Sequence, residues 1–294
     1  MIRLSSENLD DNINNYLENR QQVIDDESTF EKRVKKAKLS WNGKSKKKFD
    51  KIRDKLRTMS IGIECCNYCE NNEAIDIEHI YPKSFFPKKC FVWENYILAC
   101  KKCNTHHKLD NFAVFKPANS SNVVKMVRGI KPPNTKSVFI DPRVENGMDF
   151  MILDIKGRTF FFVPIEMEID GSAVTINSKK AEYTINLLQL NNRDALVRNR
   201  KKKAREFVSE LQRYIQIKRS NNIDELLQLV NPLDIDDFDN EIPFNRHKTN
   251  LLNGIVENIR SSSHVTVWEE LKRQRENLPN TNKLFKQEPN ALKW

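Results

Sequence analysis

No run of about eighteen apolar residues occurs in the chain, so nothing in it reads as a membrane-spanning helix. The opening stretch MIRLSSENLDDNINN lacks the apolar core of a secretory signal peptide, and a cytoplasmic address is expected. Internal repeats and long low-complexity tracts are also missing, which excludes solenoid and array architectures. No helix-turn-helix or other base-reading element is apparent, so sequence-specific reading of a duplex has no visible instrument.

What is present is a polar chain of 294 residues, 31% charged and 38% hydrophobic, a composition that suits a soluble globular protein. The length supports a full core and favours two compact units. A formal net charge of +10 favours a polyanionic partner, because each neutralised phosphate releases counterions. The charge is unevenly spread. Lys32, Arg33, Lys35, Lys36 and Lys38 form one basic cluster, Lys44, Lys46, Lys47 and Lys48 a second, and Arg198 to Arg205 a third. Asp234, Asp236, Asp237 and Asp239 make an acidic patch. Such blocks are often only solvated faces.

Four segments follow from the patterning. Residues 1–60 read as helical: Phe49, Ile52, Leu56 and Met59 recur at the period of one helical face, and Gly62 then marks a break. Residues 61–117 hold all the cysteines. Within them Ile75, Ile77 and His79-Ile80 suggest a short strand, and Trp93 to Cys100 a helical turn or buried strand. Residues 118–177 read as β-rich. Ser120 to Thr135 looks like a loop or crossover. Phe150–Ile155 and Arg158–Val163 flank Lys156-Gly157 as a β-hairpin whose glycine supplies a positive φ, with a third strand near Ala173–Ile176. Residues 178–294 read as helical: a helix capped by Ser178 and running to Leu190, and a long helix with Val197, Ala204, Phe207, Val208, Leu211 and Ile215 on one face. Shorter helices are expected at Asp224–Val230, Asn245–Ile259 and Thr266–Asn277. This last segment carries no chemical motif and reads as scaffold or docking surface. The fold class expected is α+β.

The six cysteines, Cys65, Cys66, Cys69, Cys90, Cys100 and Cys103, fall in one 39-residue window. In a reducing compartment this clustering points to metal rather than disulfides. Cys66-Asn-Tyr-Cys69 and Cys100-Lys-Lys-Cys103 supply four thiolates, which suit tetrahedral Zn²⁺ in a closed, structural site. Cys65 could substitute for a member of the first pair, and Cys90 reads as a packed core thiol. Chemistry must then come from what lies between and beside the pairs: Glu78-His79-Ile-Tyr-Pro, Trp93-Glu-Asn95, and Asn104-Thr-His-His107-Lys108.

These elements, in this order, resemble the HNH nuclease family in its four-cysteine, zinc-stapled branch, over roughly residues 61–115. The resemblance implies a ββα-metal core: a β-hairpin followed by a helix, holding one catalytic Mg²⁺ or Mn²⁺. It implies His79 as general base, at a pKa near neutrality, and Glu78 and Asn104 as oxygen ligands of the ion. If Glu78 and His79 share a strand, their side chains point to opposite faces. Asn95 would hold the loop that orients His79, His107 would be a further ligand or line the groove, and Lys83, Lys101, Lys102 and Lys108 would contact nucleic acid. Many members carry Asp where this chain has Glu78, and His where it has Asn104. His247 and His264 lie far from the motif and read as surface residues. A narrower resemblance, through Ile77–Ser84, Phe91–Tyr96, Asp141-Pro-Arg143 and Ala181–Leu190, is to the HNH subunit of Septu-type anti-phage systems, including retron-associated ones. It implies an ABC/SMC-like ATPase partner, with a retron reverse transcriptase and its nucleic acid as further partners. The substrate is DNA by family default, with a structured RNA such as tRNA open. The competing reading is a non-catalytic zinc-ribbon module that binds nucleic acid or protein; it accounts for the cysteines and the basic clusters but not for Glu78-His79 or Asn104.

Overall fold

A computed structural model describes residues 1–116, 122–165, 176–230 and 241–294. The acidic patch, and Ala173 to Thr175 of the expected third strand, lie outside the described residues. Ile176, the last residue of that expected strand, instead opens a helix.

Three helices begin the chain: α1 (Asp11–Asp25), α2 (Phe30–Asn42) and α3 (Lys46–Met59). Each starts where a side-chain oxygen caps it, Asp10 on Ile13 N, Thr29 on Lys32 N and Ser45 on Lys48 N. The periodic face of α3, Phe49, Ile52, Leu56 and Met59, is buried as its spacing requires. Strands β1 (Asp76–His79) and β2 (Tyr96–Ala99) pair antiparallel, Asp76 opposite Ala99 and His79 opposite Tyr96. Strand β2 is buried along its whole length and packs against α3. A π-helical turn, Lys102–Lys108, follows β2 directly.

The next stretch departs from the sequence reading. Val123–Lys125 is a strand, β4, paired with β3 (Ala113–Phe115), where a loop is expected. The sequence Val-Val-Lys carries no apolar–polar alternation that would mark a strand, although in the structure only Val124 is half-buried, with Val123 and Lys125 exposed on either side. Strands β5 (Met151–Leu153) and β6 (Phe162–Pro164) form the expected hairpin, but the turn is wider than Lys156-Gly157. Asp154 organises it, accepting from Gly157 N at 2.7 Å and from Thr159 Oγ1 at 2.6 Å. Arg158 and Phe160 take the positive φ values, 61° and 57°, and Gly157 does not. Gly157 is required for a different reason: a Cβ there would lie 2.5 Å from the Asp154 carboxylate.

Helices α4 (Ile176–Leu187), α5 (Asp194–Arg219), α6 (Ile223–Leu227), α7 (Phe244–Arg260), α8 (Val265–Arg273) and α9 (Pro279–Gln287) complete the described chain. Helix α9 is absent from the sequence reading. Helix α5 is the hub, with α7, α8 and α9 packed on it and Phe207 against Trp268. One cluster of buried apolar side chains runs from Met1 to Ala291 and includes the cysteine-rich segment.

His247 and His264 are buried, 8% and 2% exposed, not surface residues as the sequence suggests. His264 sits at a positive φ of 56° just before α8, its backbone N donates to the Glu70 carbonyl, and its Nε2 has no hydrogen-bond partner. Burial holds its pKa down to about 4, below an ordinary 6.5. Between those values the unfolded chain binds a proton that the folded chain refuses, so stability falls as pH drops. Thermal melts from pH 7 to 5 are expected to show this loss, up to about 1.4 kcal/mol per pH unit from this group. His264→Gln should make the slope shallower, leaving the part that buried His79 contributes; an unchanged slope would remove His264 from the account.

Candidate metal centre and active site

Cys66, Cys69, Cys100 and Cys103 are all buried, and their sulfur atoms lie within 4.8 Å of one another. Cys69 Sγ and Cys100 Sγ are 3.8 Å apart, too far for a disulfide and close to the edge of a tetrahedron with metal–sulfur bonds of about 2.3 Å. Burial and the neighbouring sulfurs push the Cys66 thiol up, so four thiolates require a cation at their centre. The donor set fits Zn²⁺. The two pairs are brought together because the Cys66–Cys69 turn is hydrogen-bonded to β2 at Leu98, while Cys100 follows β2 and Cys103 lies in the π-helical turn. Asn67 secures the junction: its N donates to Leu98 O, and its Oδ1 accepts from Leu98 N at 2.9 Å.

Cys65 stands outside the cluster, its sulfur 3.4 Å from Asn72 Oδ1. Cys90 is a packed core thiol, fully buried. Arg193, which precedes α5, reaches the centre from 90 residues away and donates through Nη1 to Cys103 Sγ at 3.3 Å. A guanidinium against a thiolate sulfur supports its charge and orients it. No local pattern marks Arg193.

Glu78 and His79 lie on opposite faces of β1. Glu78 faces the π-helical turn, where Lys108 Nζ donates to its carboxylate at 2.5 Å and to His79 O at 2.7 Å. Both side chains are buried, so Lys108 does not reach solvent as a phosphate-contacting residue must. Burial raises the Glu78 carboxyl, and the Lys108 ammonium opposes that rise. Two residues earlier on the same face, Asp76 Oδ2 accepts from Asn104 Nδ2 at 3.1 Å. Strand alternation could have revealed Asp76, which shares the Glu78 face by the two-residue period. Asp76, Glu78 and Asn104 thus offer hard oxygen atoms on one side of the hairpin, with the Lys108 ammonium on Glu78.

Replacing Lys108 with Met is expected to cost about 3–5 kcal/mol, because it leaves the Glu78 carboxylate buried without its cation. Urea unfolding of Lys108→Met, beside the pair Glu78→Gln/Lys108→Met, measures this. The pair should regain most of the loss, and a single variant as stable as the parent would sink the argument.

His79 is buried, its ring centroid 4.2 Å from that of Trp41 and 5.3 Å from that of Tyr96. Its Nε2 lies 2.8 Å from the Cys90 carbonyl oxygen. A carbonyl only accepts, so Nε2 carries the hydrogen and Nδ1 is the basic nitrogen of the neutral ring. The near-neutral pKa expected of a general base does not hold: burial first, then the Lys83 ammonium, bring it down to about 3. Asn95 holds the neighbouring loop. Its Oδ1 accepts from Tyr81 N at 2.8 Å, and its Nδ2 donates to Tyr81 O at 3.1 Å and Lys89 O at 2.7 Å.

The remaining candidates divide. Lys101 and Lys102 are exposed. Lys83 is half-buried, its Nζ 5.6 Å from the Trp41 ring centroid. His107 is half-buried, and after burial Arg193, His106 and Cys100 are the charges it senses. It is not gathered with Glu78 and Asn104.

Models of protein families, curated proteins and solved structures yield no match to this chain.

Proposed function

We propose that this chain is a metal-dependent endonuclease of the HNH type, hydrolysing phosphodiester bonds of nucleic acid, with DNA favoured over RNA. The observation that carries the reading is the hairpin β1–β2, stapled at its base by the four-cysteine cluster. It presents Glu78 and Asp76 with Asn104 on one face and His79 on the other. A zinc-ribbon binding module needs the staple but gives no reason for a buried carboxylate, an amide and a histidine on that hairpin.

In this reading Asn104 and Asp76, with Glu78 once its carboxylate is shared with Lys108, would hold a Mg²⁺ or Mn²⁺ ion, which would supply charge stabilisation to the phosphate and the departing oxygen. The chain's own part is proton handling and position. Nδ1 of neutral His79 accepts the proton of the attacking water, while the Cys90 carbonyl fixes the ring through Nε2–H. Asn95 keeps the strand-to-loop corner after His79 in register. Lys101 and Lys102 offer charge to the backbone, which carries little sequence information. Control by an ABC/SMC-like ATPase in an anti-phage complex, with or without a retron, is the role proposed. It rests on the resemblance, and the helical C-terminal segment offers surface for docking.

The test incubates the purified protein with DNA and RNA panels in Mg²⁺ or Mn²⁺, alone and with the candidate ATPase, beside a His79→Gln control. Metal-dependent cleavage that the control lacks supports the reading. Binding without cleavage under every condition returns the assignment to the zinc-ribbon module.

A further inference from the structure

The face of β1 that carries His79 is covered by the N-terminal helices. Trp41, near the end of α2, lies against His79, Tyr96, Phe91 and Phe49. Two ammonium groups converge on the same indole: Lys44 Nζ is 4.5 Å from its ring centroid and Lys83 Nζ 5.6 Å. All three side chains are half-buried. Among the described residues neither lysine has a carboxylate partner, in contrast to Lys108. Lys44 donates only to Trp41 O, at 3.3 Å. The cations oppose one another as well. Lys44 is held below its ordinary pKa by burial, then by repulsion from Lys83 and from Arg53. Immediately after Lys44, helix α3 opens with Lys46, Lys47 and Lys48 and no acidic residue in its first turn, so its N-terminal dipole adds to the same positive field.

Two partly desolvated ammonium groups held over one indole, uncompensated and beside a candidate base, make a place for an anion. We propose that Lys44 and Lys83, positioned by Trp41, form a phosphate-binding subsite that grips the nucleic-acid backbone next to the scissile bond. The subsite is assembled across two parts of the chain, Lys83 from the loop after β1 and Lys44 with Trp41 from the α2–α3 connection. Trp41 is a positioning residue here: cation–π attraction holds both ammonium groups near its ring without neutralising them. The inference rests on the nuclease reading for the identity of the anion, and it deepens that reading by joining Lys83 to a second backbone contact, Lys44, that lies outside the cysteine-rich segment.

The experiment is fluorescence anisotropy of a labelled single-stranded oligonucleotide, with Ca²⁺ replacing Mg²⁺ so that binding is read without turnover. It compares the parent chain, Lys44→Gln/Lys83→Gln, and the control Lys283→Gln/Lys286→Gln, which removes the same charge from exposed positions on α9. Gln keeps much of each stem over Trp41, and thermal melts confirm that the variants fold. The subsite pair is expected to bind about tenfold or more weakly at about 0.1 M salt, with the log–log salt slope shallower by about 1.4, two contacts at about 0.7 each. The control pair should match the parent. Equal affinity for all three proteins, or equal loss in both variants, overturns the subsite. Cleavage by the parent in Mg²⁺ or Mn²⁺ is scored separately. A specific binding loss in a chain that never cuts would keep the subsite and retire the nuclease.

Discussion

Replacing Cys100 with Ser is expected to empty the four-cysteine centre and unfold the region around it. Purified parent protein should carry about one zinc ion per chain by elemental analysis, and the variant close to none. The cause is that the centre is folding energy as well as a cross-link: structural zinc in small sites contributes roughly 10–16 kcal/mol of apparent binding free energy at neutral pH. Against a typical stability of about 5–15 kcal/mol, loss of the ion leaves little. The sulfur atoms are buried, and the same core cluster that takes in Cys66, Cys69, Cys100 and Cys103 continues through β2. The damage should therefore spread to the α3–β2 contact and not stay in the knuckle. A cooperative melt at a much lower temperature, with protection of the β1–β2 amides lost in hydrogen exchange, is the expected signature. A Cys100→Ser protein that melts like the parent would show that these thiols are only packed.

His79→Gln is expected to lower cleavage by about 10²–10⁴-fold while leaving zinc content unchanged. The choice of Gln follows from the geometry. A Gln amide can still donate to the Cys90 carbonyl and fill part of the space beside Trp41 and Tyr96, but it has no basic nitrogen. Alanine would remove base and packing together, and the two losses could not be told apart. Single-turnover cleavage at saturating protein isolates the chemical step. A variant that cuts within a few-fold of the parent would take the base role from His79, and the carboxylates of Asp76 and Glu78 would then need testing in its place.

Much of the site was legible because it is local. The two C-x-x-C pairs, the Glu78-His79 alternation on a strand and the Asn104 that follows Cys103 are all short-range patterns, and short-range geometry is what a sequence states most directly. The helical face of α3 and the long α5 face were legible for the same reason. What was missed is long-range. Trp41 over His79, Arg193 on Cys103 and the burial of His264 each depend on contacts between distant segments, which no spacing rule encodes. Lys108 was misplaced because its position after the second pair suggested an exposed groove. The π-helical turn instead carries its side chain inward to Glu78. The β5–β6 turn was misread because Gly157 suggested left-handed backbone, when its lack of a Cβ serves the close approach of Asp154.

The packing of Trp41 on His79 has a consequence for anyone who wishes to move this site to another scaffold. The recognisable motif begins near residue 61, yet one wall around His79 is borrowed from helices that precede it. A minimal insert cut at that boundary would carry the four cysteines and the strand, but would leave one flank of the imidazole open to water and without Lys44. A portable cassette therefore has to begin upstream of Trp41, at α2 or earlier, and a graft that obeys motif boundaries alone transfers the ligands without their surroundings.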